Sequence, residues 1–298
     1  MYTVIGSGFG LYGYLPALVA HLNKKIVLPI DYQNKIKARP ELLSLLDKVQ
    51  WVKDRNTALE IADTVVLAIP PLSQDALVSE CLKFKNIRRL VLEKPIASNP
   101  VSSTHLHNEL IDKRINFTVA YTLACLDWQS DITWSIKTDL SIVLTWDFMA
   151  HHFAYELRNW KRVHKQGGGV LRFFGIHIIA MLAMRGYTEV QTITLNGELD
   201  GEPEVWNAIF NGEKKPPCYV NMNSRSLTPC FTIRADGGRA LLSLKEPFAL
   251  EKSRGKLDRR VATLAKIIKK LDIVGSSYED HEWYAMTNML WHQAEIGI

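Results

Sequence analysis

The sequence predicts an α/β fold in two parts, an N-terminal doubly wound parallel sheet and a second, largely antiparallel domain. Three observations carry this. The 298 residues exceed one typical domain and suit two. Up to about residue 120, short apolar strands alternate with amphipathic helices, as parallel strands joined by crossovers do. Beyond that point apolar and polar residues alternate between turn signals, as in an antiparallel sheet with one solvated face.

The first strand, Tyr2-Thr3-Val4-Ile5, runs straight into a glycine turn, Gly6-Ser7-Gly8-Phe9-Gly10-Leu11. Gly6 permits a tight strand-to-helix turn, and Gly8 lets the backbone approach a dinucleotide pyrophosphate, whose charge then sits against the first free N–H groups of the following helix. A third glycine is expected where Leu11 stands. A glycine turn that binds nothing is the alternative, and the next element weighs against it. Lys25 to Ile30 reads as a second buried strand ending in Asp31, about 20 residues after the turn, where such a unit needs an acid to accept from the ribose hydroxyls. A carboxylate there repels a 2′-phosphate and favours NAD over NADP, while Lys35, Lys37 and Arg39 pull the other way; an ordinary loop aspartate is the bland reading.

The next strands are Val49-Gln50-Trp51-Val52 and Asp63 to Ile69. Pro70-Pro71 stops the latter and opens a loop at the carboxyl edge, where α/β sheets bind ligands. Leu90-Val91-Leu92 ends in Glu93-Lys94-Pro95, and Ser98-Asn99-Pro100 begins a helix with a capping residue and an N1 proline. Phe117 to Tyr121 closes this half, giving a dinucleotide-binding domain over 1–120 and a second domain for substrate binding and oligomerisation over 121–298. In the second, Leu140 to Trp146 alternates, and Cys230 to Leu242 reads as a hairpin around Asp236-Gly237-Gly238.

Composition agrees with a cytoplasmic enzyme. The formal charge of +5 is mildly basic, without the aromatic-and-basic repeats or zinc-type spacing of a nucleic-acid reader. Cys81, Cys125, Cys218 and Cys230 are scattered, which fits reduced thiols. The chain starts on a core strand, leaving no room for a signal peptide, and no apolar run reaches the roughly 18 residues of a membrane span.

Taken together, the turn with Tyr14-Leu15-Pro16-Ala17-Leu18 behind it, the Ile69-Pro70-Pro71 loop, Glu93-Lys94-Pro95, the Ala120-Tyr121 strand end and Gly167-Gly168-Gly169 through His177 resemble the Gfo/Idh/MocA oxidoreductases. The resemblance runs from residue 1 to about 190, and the order of the pieces makes it more specific than any single motif. It implies a Rossmann domain, a C-terminal α+β domain with a large open, mainly antiparallel sheet, and hydride exchange between a nicotinamide cofactor and a sugar or nucleotide-linked sugar. It also implies a homo-oligomer built through that sheet. The implied cofactor contacts are Gly6, Ser7, Gly8, Phe9, Gly10, Leu11, Asp31, Tyr32, Ile69, Pro70, Glu93, Lys94 and Trp160. Trp160-Lys161 corresponds to a Trp-Arg that lies beside cofactor and substrate in relatives; a packed tryptophan is the alternative.

Three departures stand out. Tyr14 and Gln74 replace histidines common in the family and touch only the edge of the cofactor site. Phe173 occupies the place of an aspartate four residues before the histidine, and a phenyl ring can neither take nor give a proton. What remains for chemistry is Lys94, whose ammonium can stabilise a developing alkoxide, and His177, which titrates near neutrality, with Tyr121 in support. A surface lysine in a salt bridge and a hydrogen-bonded core histidine are the alternatives. Arg172 is either an anion-binding residue or a helix-surface arginine. His151 and His152 follow a strand and point to opposite faces, so no metal site is expected. Arg254 to Lys270 reads as a solvated amphipathic helix, with a second possibility of holding the phosphates of a nucleotide-linked sugar. The sequence therefore reads as an NAD-dependent oxidoreductase acting on a sugar; the alternative is a non-catalytic dinucleotide- or sugar-binding protein on the same scaffold.

Overall fold

The computed structural model describes residues 1–132, 140–197, 202–235, 238–251 and 256–296. Two compact units emerge. The first comprises Met1–Ile96, Leu106–Thr122 and Glu251–Asp280; the second comprises Ala97–His105, Leu123–Leu250 and His281–Ile298. Residues 251–280 thus pack with the first unit although they follow most of the second in sequence.

The first unit holds six parallel strands in the order β3-β2-β1-β4-β5-β6. These are β1 (Tyr2–Ile5), β2 (Ile26–Pro29), β3 (Val49–Val52), β4 (Thr64–Leu67), β5 (Arg89–Leu92) and β6 (Asn116–Val119). β1, β2 and β4 are buried at every position, as continuous apolar runs covered on both faces must be. Their register decides where chemistry can occur. Ile5 pairs with Leu67, Leu67 with Leu92 and Leu92 with Val119, so the residues that follow these strands leave one edge of the sheet together. Backbone bonds extend the line: Ala68 N–H donates to Ile5, Glu93 N–H to Leu67 and Ala120 N–H to Leu92, each at 2.9 Å. Pro71 starts the helix Pro71–Cys81 at its first position, where the missing N–H costs nothing. The helix Val261–Val274 buries Leu264, Ile268 and Leu271 against this unit, so the amphipathic pattern read from Arg254 to Lys270 has its apolar stripe packed. Arg254 lies outside the described residues.

The second unit holds β7 (Ile142–Met149), β8 (Glu189–Asn196), β9 (Val205–Asn211), β10 (Cys218–Asn223), β11 (Arg225–Ala235) and β12 (Ala240–Leu244), ordered β12-β11-β7-β10-β9-β8. Every pairing is antiparallel except β7 with β10. β7 alternates buried Ile142, Leu144 and Trp146 with half-exposed neighbours, the signature of a sheet covered on one face. β11 and β12 form the expected hairpin; its Asp236 and Gly237 lie outside the described residues. His151 and His152 do not continue a strand: β7 stops at Met149 and the chain turns into the short helix His151–Ala154, with His151 exposed and His152 buried. Among the described residues one helical stretch, His164–Met184, is long and apolar enough to cross a membrane, although no such run was expected. It lies mostly buried, as a core helix does.

In the helix Pro100–Asp112 the Asn99 side chain accepts from the Ser102 N–H at 2.9 Å, the cap expected from Ser98-Asn99-Pro100.

Candidate functional site

The glycine turn leaves β1 at the carboxyl edge, beside β4, where the order of the strands reverses direction. Its glycines are there for different reasons. Gly6 has φ +128, and a Cβ on it would stand 2.1 Å from the Ala68 carbonyl oxygen; a Cβ on Gly10 would stand 2.9 Å from Val4 Cγ1. Close packing of turn and helix on the sheet therefore demands both. A Cβ on Gly8 would meet no protein atom within 4 Å, so nothing in the chain's own packing requires glycine at this exposed position. That is what a backbone reserved for the approach of a ligand looks like. Leu11, in place of the third glycine, is fully buried, and the winding here is wider than an α-helix over Gly10–Tyr14 and Ala17–His21.

Two contacts fix the turn to the segment after β2. The Gly6 N–H donates to the Tyr32 hydroxyl at 3.0 Å, and Lys35 Nζ donates to Ser7 Oγ at 2.6 Å. Burial pushes the Tyr32 phenol up, with the Gly6 N–H opposing it. Asp31 is exposed, directly beyond the carboxyl end of β2. A cavity of about 590 Å³ beside the turn is lined by Ser7, Gly8, Lys35, Ala38, Arg39, Pro40 and Glu41.

The same edge carries the reactive candidates of this unit. Ile69 is half-buried and Pro70 exposed after β4; Glu93 and Lys94 follow β5; Tyr121 lies just beyond β6. Lys94 is only 6% exposed and Tyr121 1%, so neither is a solvated surface group. Tyr14 and Gln74 do more than touch an edge, because both converge on Glu93. The buried Tyr14 hydroxyl donates to Glu93 Oε2 at 2.7 Å, and Gln74 Nε2 donates to the Glu93 and Ile96 carbonyls at 2.9 and 3.1 Å. Burial raises the Glu93 carboxyl above its ordinary range; Lys94, the Tyr14 hydrogen bond and Arg260 oppose that rise. Burial and then the Glu93 charge push the Tyr14 phenol well up. Arg260, from the segment before the Val261–Val274 helix, lies 4.0 Å from the centre of the Phe9 ring and donates through Nε and Nη2 to Asp258 at 2.9 and 2.8 Å. No local motif announces this arginine, since its relation to the turn exists only after residues 251–280 return to the first unit.

In the second unit the helix Ile176–Met184 follows a wide turn over Val170–Gly175, and His177 sits buried in its first turn among Ile176, Ile178 and Ile179. Gly168 is needed for close approach, since a Cβ there would stand 2.3 Å from the Trp160 carbonyl oxygen. Trp160 meets Phe173 edge to face at 5.3 Å, Phe173 meets Phe174 at 4.7 Å, and Lys161 Nζ stands 5.4 Å from the Phe173 ring centre. Position 173 is thus the middle of an aromatic row. Arg172 is not a solvated helix-surface arginine: it forms a two-pronged pair with Glu295 at 2.6 Å and also donates to the Ser98 and His164 carbonyls. Among the described residues no group of three His, Cys, Asp or Glu is placed to hold a metal.

No protein-family model and no curated protein matches the sequence. Solved structures do match it in fold. GenD2 from gentamicin A biosynthesis, solved with NAD, superposes with a TM-score of 0.70 at 11% identity, covering 99% of this chain and 93% of its own. KijD10, a 3-ketoreductase from Actinomadura kijaniata solved with NADP and TDP-benzene, gives 0.70 at 14% identity over 99% and 97%. The WlbA dehydrogenase from Bordetella pertussis, solved with NADH and UDP-GlcNAcA, gives 0.71 at 12% identity over 100% and 97%.

Proposed function

We propose that this chain, which carries the two-domain fold of the Gfo/Idh/MocA oxidoreductases along its whole length, is an NAD-dependent oxidoreductase acting on a sugar or nucleotide-linked sugar. The observation that carries the reading is the shared edge. One register line delivers the glycine turn, Glu93-Lys94 and Tyr121 to the carboxyl end of a parallel sheet, at the strand-order reversal where such sheets bind ligands. The open side of Gly8 fits a pyrophosphate, and Asp31 stands where ribose hydroxyls need an acceptor. Gly6 to Leu11, Asp31, Tyr32, Ile69, Pro70 and Glu93 would hold the dinucleotide. When bound, the nicotinamide accepts or supplies the hydride.

The chain's own groups handle the proton and the charge. Lys94, buried and cationic, holds the substrate oxygen and stabilises the charge that builds on it as hydride leaves or arrives. His177 moves the proton, and Tyr121 supports Lys94 at the edge. Cys81, Cys125, Cys218 and Cys230 are not joined in disulfides, which fits a reducing cytoplasm. The open face of the second sheet presents Ile193 at 59% and Tyr219 at 40% exposure, which supports a homo-oligomer formed through that face.

Phe173 favours a second reading, a binder that kept the scaffold without turnover, because the ring removes a carboxyl from the site. Lys94→Ala separates the two. The enzyme reading expects unchanged NADH binding and a rate lowered roughly a hundredfold or more. An unchanged rate would return Lys94 to a structural role.

A further inference from the structure

Resting on the reading above, we propose that Tyr14 and Arg260 are positioning residues that hold Glu93 as the anionic partner of Lys94. The geometry is confined to the first unit. Glu93 leaves the carboxyl end of β5 next to Lys94, and the Tyr14 hydroxyl donates to its Oε2 at 2.7 Å. Gln74 ties down the backbone that follows, through the Glu93 and Ile96 carbonyls. Both residues that depart from the common histidines of the family, Tyr14 and Gln74, therefore meet on Glu93, one at its carboxylate and the other at its backbone carbonyl.

Arg260 supplies the missing charge balance. Its guanidinium is fixed by the Asp258 fork and by the Phe9 ring, and its charge acts on Glu93. The groups around the carboxylate are thus Tyr14 from the helix after the turn, Lys94 from its own loop, and Arg260 with Asp258 from the C-terminal segment; Tyr12 acts on Arg260. Burial favours a neutral carboxyl, and the Lys94 charge, the Tyr14 hydrogen bond and the Arg260 charge oppose it. A carboxylate so held keeps the neighbouring ammonium protonated and aimed, which is what an electrostatic stabiliser of a developing alkoxide requires.

The test is the titration of Glu93, followed by carbon NMR of the full chain labelled at the glutamate carboxyl carbon, with Glu93→Gln identifying the signal. Tyr14→Phe and Arg260→Gln each remove a group that favours the anion, so the signal should titrate at higher pH, by roughly one unit for the arginine. Arg260→Lys should restore most of the shift. The acid limb of the pH-rate profile should move up with the NMR titration, while NADH affinity stays within about threefold, less than 1 kcal/mol. A Glu93 signal that titrates alike in all four proteins overturns the inference, as does an acid limb that stays in place when the signal moves. Should the chain bind NADH and turn nothing over, the enzyme reading fails, and with it Lys94's catalytic task. The NMR shifts still decide whether Tyr14 and Arg260 hold Glu93 ionised.

Discussion

Replacing Gly6 and Gly8 separately by alanine should split folding from ligand binding, because the two glycines answer to different neighbours. At Gly6 the backbone has φ +128, and the new methyl carbon would stand 2.1 Å from the Ala68 carbonyl oxygen. That oxygen belongs to backbone bonded into the sheet edge, since the Ala68 N–H donates to Ile5. The strained φ costs about 1–3 kcal/mol, and overpacking against backbone adds about 1–3 kcal/mol. Gly6→Ala should therefore lose roughly 2–6 kcal/mol, a large part of the 5–15 kcal/mol by which such proteins are stable. At Gly8 no protein atom lies within 4 Å of the added carbon, and φ is not positive. Gly8→Ala should leave stability unchanged or raise it by about 0.4–1 kcal/mol, through the reduced freedom of the unfolded chain. Its methyl would stand in the approach of a phosphate, and forfeiting one charge-assisted hydrogen bond, about 1.5–3 kcal/mol, is roughly a 10- to 150-fold rise in Kd. Urea unfolding and NADH fluorescence titration measure both quantities on the same preparations. A stable Gly8→Ala that binds NADH as the unmodified chain does would refute the assignment of the turn.

Asp31→Ala should weaken NADH binding and narrow the gap between NADH and NADPH, because the carboxylate both accepts ribose hydrogen bonds and repels a 2′-phosphate; equal affinity of the unmodified protein for the two would contradict its selecting role. His177→Asn should remove most activity per folded molecule, with full activity in the folded variant assigning the proton to Lys94, Tyr121 or water. Arg172→Met breaks an ion pair whose side chains are 12% and 15% exposed. It should cost about 3–5 kcal/mol in urea unfolding with KM unchanged for the folded fraction; a raised KM would revive an anion-binding role. Burial first, then Lys161 and Arg162, depress the His152 imidazole from 6.5 to about 4. The unfolded chain takes up this proton below its ordinary value while the folded chain does so only near 4. Stability should therefore fall on acidification through that window by on the order of 2–3 kcal/mol, and His152→Gln should flatten the fall.

Much of the first unit was written in local signals. Val49 to Val52 forms the strand its pattern indicates, and the glycine turn, Asp31 and Glu93-Lys94 stand at the carboxyl edge because strand ends and breakers fix where chains leave a sheet. What stayed hidden required long-range contact. Arg260 reaches Phe9 only because residues 251–280 return to the first unit, and no periodicity reports that path. Tyr14 and Gln74 looked peripheral in sequence because Glu93, on which they meet, is 79 and 19 residues away respectively. Arg172 was open in sequence between an anion-binding residue and a helix-surface arginine, because its partner Glu295 lies 123 residues away near the end of the chain. His151 and His152 were expected to alternate as strand residues, whereas the chain leaves the sheet at Met149 and turns into a short helix.

The most direct measurement of the central claim is nicotinamide absorbance during incubation of the chain with NAD and NADH and a set of free and nucleotide-linked sugars and their keto forms. The account predicts a steady absorbance change with at least one sugar and its loss in Lys94→Ala. Saturable NADH binding with no change for any sugar would contradict it and leave a binding protein on an oxidoreductase scaffold.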